Sequence, residues 1–151
     1  MDTFKDKYNK FLIEYGKARK MVLSTSENDM VTSRMMSIIQ IDGLFYFQTD
    51  KELRKYNQLI NNPKVALCID NIQIQGICKD IGHPTKNKTF LRIYKECYNN
   101  SYNMYTSLKN ERLFVIVPTY LEKWIYKDGI PFLELFDIEK KQYKLNKYIS
   151  M

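Results

Sequence analysis

The apolar positions change their period along the chain. Phe4, Tyr8, Phe11, Leu12 and Tyr15 recur at helical spacing and predict a first helix over 3–19 with one apolar stripe. Beyond it the period shortens. Strands are expected over 21–24, 30–41, 44–48, 65–69 and 72–76, the last from the alternation Ile72-Gln73-Ile74-Gln75. Glu27-Asn28-Asp29 is turn chemistry, and Asp42–Gly43 marks a tight hairpin. A short helix over 50–61 interrupts the strands. Its stripe is Leu53, Tyr56, Leu59 and Ile60, which leaves Arg54, Lys55 and Gln58 facing outward or toward a ligand. It stops at Asn61-Asn62-Pro63. Phe90, Ile93 and Tyr94 predict a helix over 86–98, with 99–109 left open. Strands follow at 113–117, 124–127 and 132–138, the last two joined at Asp128–Gly129, and the tail from Glu139 is expected to fray or pair weakly.

Short strands joined by tight hairpins and interrupted by two helices predict a mainly β (α+β) fold. The expected architecture is a closed or nearly closed barrel of six to seven strands with flanking helices. A doubly wound parallel sheet needs strict strand–helix alternation, which is absent. At 151 residues the chain reads as one domain over 1–151, large enough to bury a core without metal or disulfide.

Composition narrows the class. Hydrophobic residues make up 44% of the chain and aromatics 14%, which excludes a disordered segment. No apolar run approaches the ~20 residues of a membrane span, and the charged N-terminus lacks a signal-peptide core, so a cytoplasmic protein is expected. The three cysteines are far apart and read as reduced thiols, Cys68 and Cys78 as small core residues. A single histidine, His83, argues against a zinc site. The net charge of +7 admits nucleic acid as a partner, but basic residues are scattered and interleaved with acidic ones, which favours a solvated surface.

Candidate chemistry gathers at 48–55. Thr49, the start of the short helix and Arg54–Lys55 offer a hydroxyl, backbone N–H groups and two cations, which is what a phosphate needs. The hairpin at 42–43 sets Arg34 roughly opposite residue 51 and adds a third cation. A competing reading stands beside this one. Thr49-Asp50-Lys51-Glu52 matches a capping box, and Arg34 paired with Asp50 or Glu52 would be ordinary surface chemistry. Trp124 reads as a packing anchor, and Tyr94, Tyr98, Tyr102 and Tyr105 as a helix face on the barrel. No hydrolytic triad, paired carboxylates, P-loop or dinucleotide fingerprint is present.

These residues, in this order, resemble the pyridoxamine 5′-phosphate oxidase-like flavoproteins. Arg34-Met35-Met36-Ser37-Ile38-Ile39 resembles that family's Arg-Met-Val-Leu-Leu-Lys strand, and Gln48-Thr49 falls on its Tyr-Thr. Arg54-Lys55 falls on its phosphate-binding Arg-Lys pair, and Asn61 through Leu67 resembles Asn-Asn-Pro-Arg-Val-Ser-Leu. Ile74-Gln75-Gly76 resembles Val-Glu-Gly, which sets Asn71 at the family's FMN-contacting Gln. Pro118 through Trp124 resembles Pro-x-x-Ile-Glu-Phe-Trp, whose Trp contacts cofactor. The shared order runs across residues 20–138.

The resemblance implies a split β-barrel holding FMN in the groove of a homodimer. Arg34, Thr49, Arg54 and Lys55 would anchor the phosphate, and the backbone of Met35, Met36 and Ser37 would face the ring and ribityl chain. Gln48, Asn71 and Trp124 would complete the cofactor contacts. Two departures bear on substrate. Ile39 replaces the substrate-contacting Lys, and Gly129-Ile130-Pro131-Phe132-Leu133 stands where the family has Arg-x-His-Asp-Arg. Oxidation of pyridoxamine phosphate is therefore not expected. The nitroimidazole-reductase-like relatives, with His-Ser/Gly-Ala at Gln48-Thr49-Asp50, fit poorly as well. The expectation is an FMN-dependent oxidoreductase acting on an unassigned small molecule, with a nicotinamide electron donor as one option. A flavin carrier or sensor without turnover and a nucleic-acid-binding barrel are the alternatives. No catalytic acid or base can be named.

Overall fold

The computed structural model describes residues 3–149. In chain order the elements are α1 (Thr3–Tyr15), β1 (Ala18–Glu27), β2 (Met30–Ile41), β3 (Leu44–Asp50), α2 (Arg54–Asn61), β4 (Lys64–Ile69) and β5 (Ile72–Asp80). A 3₁₀ turn at Pro84–Lys86 leads into α3 (Lys88–Cys97) and α4 (Asn99–Tyr105), then β6 (Glu111–Lys127), β7 (Ile130–Asp137) and β8 (Gln142–Lys147). The strands form one antiparallel sheet in the order β3-β2-β1-β4-β5-β6-β7-β8. Pairing of β3 with β6 closes the first six into a barrel, leaving β7 and β8 as an extension of β6.

Four two-residue hairpins carry the topology, and each turn uses residues that tolerate a left-handed backbone, Asp70 among them between β4 and β5. Asn28–Asp29, Asp42–Gly43 and Asp128–Gly129 all have positive φ. The barrel interior is aromatic. Phe45, Phe47, Phe114 and Phe136 are fully buried, and Phe47 and Phe114 stack with centroids 5.2 Å apart. The stripe expected on the first helix is the one that packs. Phe4, Phe11 and Tyr15 close one end of the barrel against Phe136 and Phe45. A second cluster lies outside the wall, where Phe90, Ile93 and Tyr94 of α3 cover Ile39 and Leu113.

Four expectations are corrected. The strands expected at 113–117 and 124–127 are one continuous strand of 17 residues. Pro118 sits within it, opposite Gly76 at a bulge, where its missing N–H is tolerated. The tail does not fray, since β8 pairs with β7 along its length. The second helix of the chain begins at Arg54 rather than at 50, with Leu53 and Ile60 half exposed, so its buried face is Gln58 and Leu59. Cys68 is exposed on the outer sheet face, whereas Cys78 is buried and all three thiols are free. No described helix is long and apolar enough to cross a membrane, and no described group of residues could hold a metal.

The feature that shapes the site is a parting of strands. β2 and β3 pair only at Ile39–Tyr46, Gln40–Phe45 and Ile41–Leu44. The register is the one the hairpin predicts, but pairing stops before it reaches Arg34. From there β2 continues along β1, with Arg34 opposite Leu23, while β3 continues along β6. α2 lies over this end of the barrel against β1 and β5.

Gly76 gives a direct test of the bulge. A Cβ there would stand 2.6 Å from Ile116 Cγ2 and 2.9 Å from the Val117 carbonyl oxygen. Gly76→Ala is expected to lower the urea midpoint by the equivalent of about 1–3 kcal/mol, the usual cost of overpacking. An unchanged midpoint would show that the two strands separate freely at this point.

Candidate functional site

Arg34 projects to the inner side of β2, where α2 covers the barrel end. Its guanidinium is held by neutral oxygens. Nη1 donates to the Leu23 carbonyl at 3.1 Å and Thr25 Oγ1 at 3.0 Å. Nη2 donates to Thr32 Oγ1 at 2.6 Å and Gln58 Oε1 at 3.1 Å. Gln58, expected to face outward or toward a ligand, is buried and accepts from Thr25 as well as Arg34. None of these partners carries charge, so they fix the guanidinium without neutralising it.

Arg54 and Lys55 begin α2 beside it. Burial and Arg54 lower the Arg34 pKa, and burial and Arg34 lower that of Lys55. The three cations therefore feel one another as like charges. The ion pairs among the described residues are Arg112–Asp80 and Lys123–Glu14, which include none of the three. The competing surface-pair reading fails here, because Asp50 Oδ1 instead accepts from the Glu52 backbone N–H. Cations at a helix start also oppose the helix dipole, and the first turn holds no acidic residue.

Thr49 is not a helix cap. Leu53 holds that position, with no side-chain capping bond. Thr49 lies in β3 opposite Arg112, and its Oγ1 is buried without a hydrogen-bond partner. Such orphaned hydroxyls are uncommon and ask for an explanation.

On the other face of β3, Gln48 is fully engaged. Its Nε2 donates to Glu111 Oε2 at 2.8 Å, and its Oε1 accepts from Thr106 Oγ1 at 3.0 Å. Glu111, which the sequence reading missed, is 4% exposed and directly opposite Asp50. Burial first, then Asp50, pushes its carboxyl up to about 7, opposed by Gln48 and Lys55. The signal was a Glu just ahead of an apolar strand, which usually means a solvated strand end.

The remaining candidates divide. Met35 is exposed on the outer face, Met36 packs on the core, and Ser37 is hydrogen-bonded to Tyr94 of α3. Among the described strands, none pairs with the β3-facing edge of β2 beyond Ile39, so the backbone of Met35–Ser37 lies along the parting. The Tyr98 hydroxyl donates to the Ile38 carbonyl there at 2.9 Å. Asn71 and Trp124 adjoin each other elsewhere. Asn71 Nδ2 donates to the Trp124 carbonyl at 2.6 Å, and both line a groove of about 650 Å³ with Ser24, Cys68 and Gln73. One chain thus does not bring these two into the cationic cluster. His83 is consumed by its loop, with Nδ1 accepting from the Thr85 N–H and Nε2 bonded to the Leu108 carbonyl.

A closed six-stranded barrel that opens between two strands is a split barrel, and here a cationic helix start lies at the opening. Residues 4–125 match the family model of pyridoxamine 5′-phosphate oxidase, and the chain belongs to that family. The fold is similar to General Stress Protein 26 from Bacillus anthracis, at 24% identity over 80% of this chain and 92% of that one, with a TM-score of 0.58. It is similar to a Clostridium acetobutylicum protein related to general stress protein 26, at 16% identity over 94% and 99%, with a TM-score of 0.64. PhzG from Burkholderia lata, solved with tetrahydrophenazine-1-carboxylic acid, matches at 14% identity over 98% and 91%, with a TM-score of 0.60. No curated protein sequence matches.

The orphaned hydroxyl separates a binding role from a folding role. In the ligand-free protein Thr49→Val is expected to leave thermal stability unchanged or to raise it, by up to about 1 kcal/mol, because no hydrogen bond is lost. A loss well beyond that in a melting experiment would mean that Oγ1 has a structural partner.

Proposed function

We propose that the chain binds FMN as a homodimer and works as an FMN-dependent oxidoreductase on a small molecule other than pyridoxamine phosphate. The observation that carries this reading is the cluster at the start of α2. Arg34, Arg54 and Lys55 have no carboxylate within ion-pair distance among the described residues, and Thr49 Oγ1, in the strand that leads into α2, is buried without a partner. A phosphate accepts from such donors and relieves their mutual repulsion.

The residues fit the group. Arg34, held by Thr25, Thr32 and Gln58, supplies fixed charge, and Lys55 and Arg54 supply donors at the helix start. The unpaired edge of β2 at Met35–Ser37 offers backbone donors and acceptors for a planar heterocycle. Bound FMN supplies the hydride and electron transfer, and the protein supplies position and electrostatics. The substrate pocket lacks one cation the resemblance associates with pyridoxal substrates, since Ile39 is fully buried beneath Phe90 and Tyr94.

The dimer reading has its own support. Val31, Met35, Ile77 and Val117 are exposed on the sheet, more apolar surface than solvent favours. The small residues Ser24 and Ala66 are shared by the Asn71–Trp124 groove and a second trough of about 420 Å³, which makes one continuous concave face. A two-fold arrangement would let that groove on one protomer complete the cationic pocket of its partner.

Fluorescence titration is expected to show FMN binding at least tenfold more tightly than riboflavin, since charge-assisted bonds contribute about 1.5–3 kcal/mol each. Equal affinities would remove the phosphate assignment. Lys55→Ala and Arg54→Ala should erase most of that difference while moving the melting temperature of the cofactor-free protein little. Light scattering is expected to report a dimer, and Met35→Asp to give monomer with weakened FMN binding. A wild-type monomer holding stoichiometric FMN would contradict the interface. Anaerobic NADH or NADPH should bleach bound flavin if the donor is a nicotinamide. Failure with both, alongside reduction by dithionite, would favour a flavin carrier.

A further inference from the structure

Glu111 has no part in the phosphate reading, yet it stands at the edge of the same cluster. It opens β6 directly across from Asp50. It is almost wholly buried, and the hydrogen bond that holds it comes from Gln48, itself pinned by Thr106 just past α4. The groups facing it are Asp50 from β3, Lys55 from α2 and Tyr94 from α3. Lys55 is thus attracted from one side by Glu111 and Asp50 and repelled from the other by Arg34. A phosphate that bonds to Lys55 would bring a dianion toward two carboxylates already facing each other. Asp50 has a fixed donor in the Glu52 N–H, whereas Glu111 is held only by the Gln48 amide.

Resting on the FMN reading, we infer that Glu111 is the proton-responsive counter-ion of the phosphate pocket. It balances Lys55 as a carboxylate when the pocket is empty and takes a proton from solvent when the phosphate arrives. The chemistry is a single proton uptake at a Glu111 carboxyl oxygen, with Gln48 Nε2 donating to the other oxygen. Glu111 is a positioning residue and touches neither ring nor substrate.

The sign follows from linkage. Burial, with Asp50 opposite, holds this carboxyl up to about 7, and a nearby dianion raises it further. A ligand that binds the protonated form then loses affinity as pH rises above neutrality, by up to about tenfold per unit, until the bound-state value is passed. FMN's own phosphate has the opposite trend, since it becomes dianionic above about pH 6.

The test is the FMN dissociation constant from pH 6 to 9 for wild type, Glu111→Gln and Lys55→Arg, with riboflavin as the ligand that lacks phosphate. Wild type is expected to weaken by tenfold or more between pH 7 and 8.5. The decline should persist in Lys55→Arg, whose cation does not titrate, and disappear in Glu111→Gln. Calorimetry of Lys55→Arg at pH 8 in two buffers of different ionisation enthalpy should count close to one proton taken up per FMN, a count that Lys55 cannot supply and that stands even if Glu111→Gln does not fold. Tight FMN binding with no pH dependence and no proton uptake would overturn the role of Glu111 and leave the FMN reading intact. A decline that survives in Glu111→Gln would assign it to another group. FMN binding no tighter than riboflavin at pH 6 would overturn both.

Discussion

The separation of β2 from β3 is the constraint on which the rest depends. β3 cannot both stay on β2 and close the barrel on β6. It pairs with β2 for three residues and then crosses to β6. Closure on β6 takes β3 away from β2, and along Met35–Ser37 no described strand pairs with that edge of β2. A bare edge over a barrel end is a hazard unless something covers it. Here α2 lies over that end, and it carries Arg54 and Lys55 to the place where Arg34 emerges.

The charges at this point make little sense as folding devices. Each cation at a helix start forgoes about 0.3–1 kcal/mol of dipole interaction. Arg34 is partly desolvated among hydroxyl, amide and carbonyl oxygens without a counter-ion. Elsewhere the chain pairs its buried charges well. Asp80 of the neighbouring strand collects Arg112, the Tyr56 hydroxyl and the Gly82 N–H around one carboxylate. The contrast between a network with a paired charge and a cluster with no ion pair among the described residues is what makes the second the candidate site.

Much of this was legible in the chain. Asp42–Gly43 defined the hairpin and its register, and the spacing from Thr49 to Arg54–Lys55 defined the order of the pocket. What the chain hid are effects of tertiary context. The strand expected to end at 117 runs on through Pro118, whose tolerance depends on Gly76, 42 positions earlier in a different strand. Thr49 looked like a cap because Glu52 follows it at the right spacing, but closure on β6 draws Thr49 into the ladder. Gln58 read as solvent-facing because its neighbours on the helix are polar. Its burial is visible only once Thr25, Thr32 and Arg34 arrive from strands far away in sequence. Glu111 left no periodic trace at all, since nothing local distinguishes a buried carboxylate from a solvated one.

The central claim is that a phosphate is held among these cations, and the phosphorus nucleus reports on it directly. A 31P NMR titration of FMN bound to the protein follows the second ionisation of the phosphate itself, which in free monoesters falls near pH 6. Three cations, none of them in an ion pair among the described residues, should favour the dianion, so the bound resonance is predicted to remain in its dianionic position down to about pH 5. A bound resonance that titrates with the midpoint of free FMN would show a solvent-exposed phosphate and contradict the account.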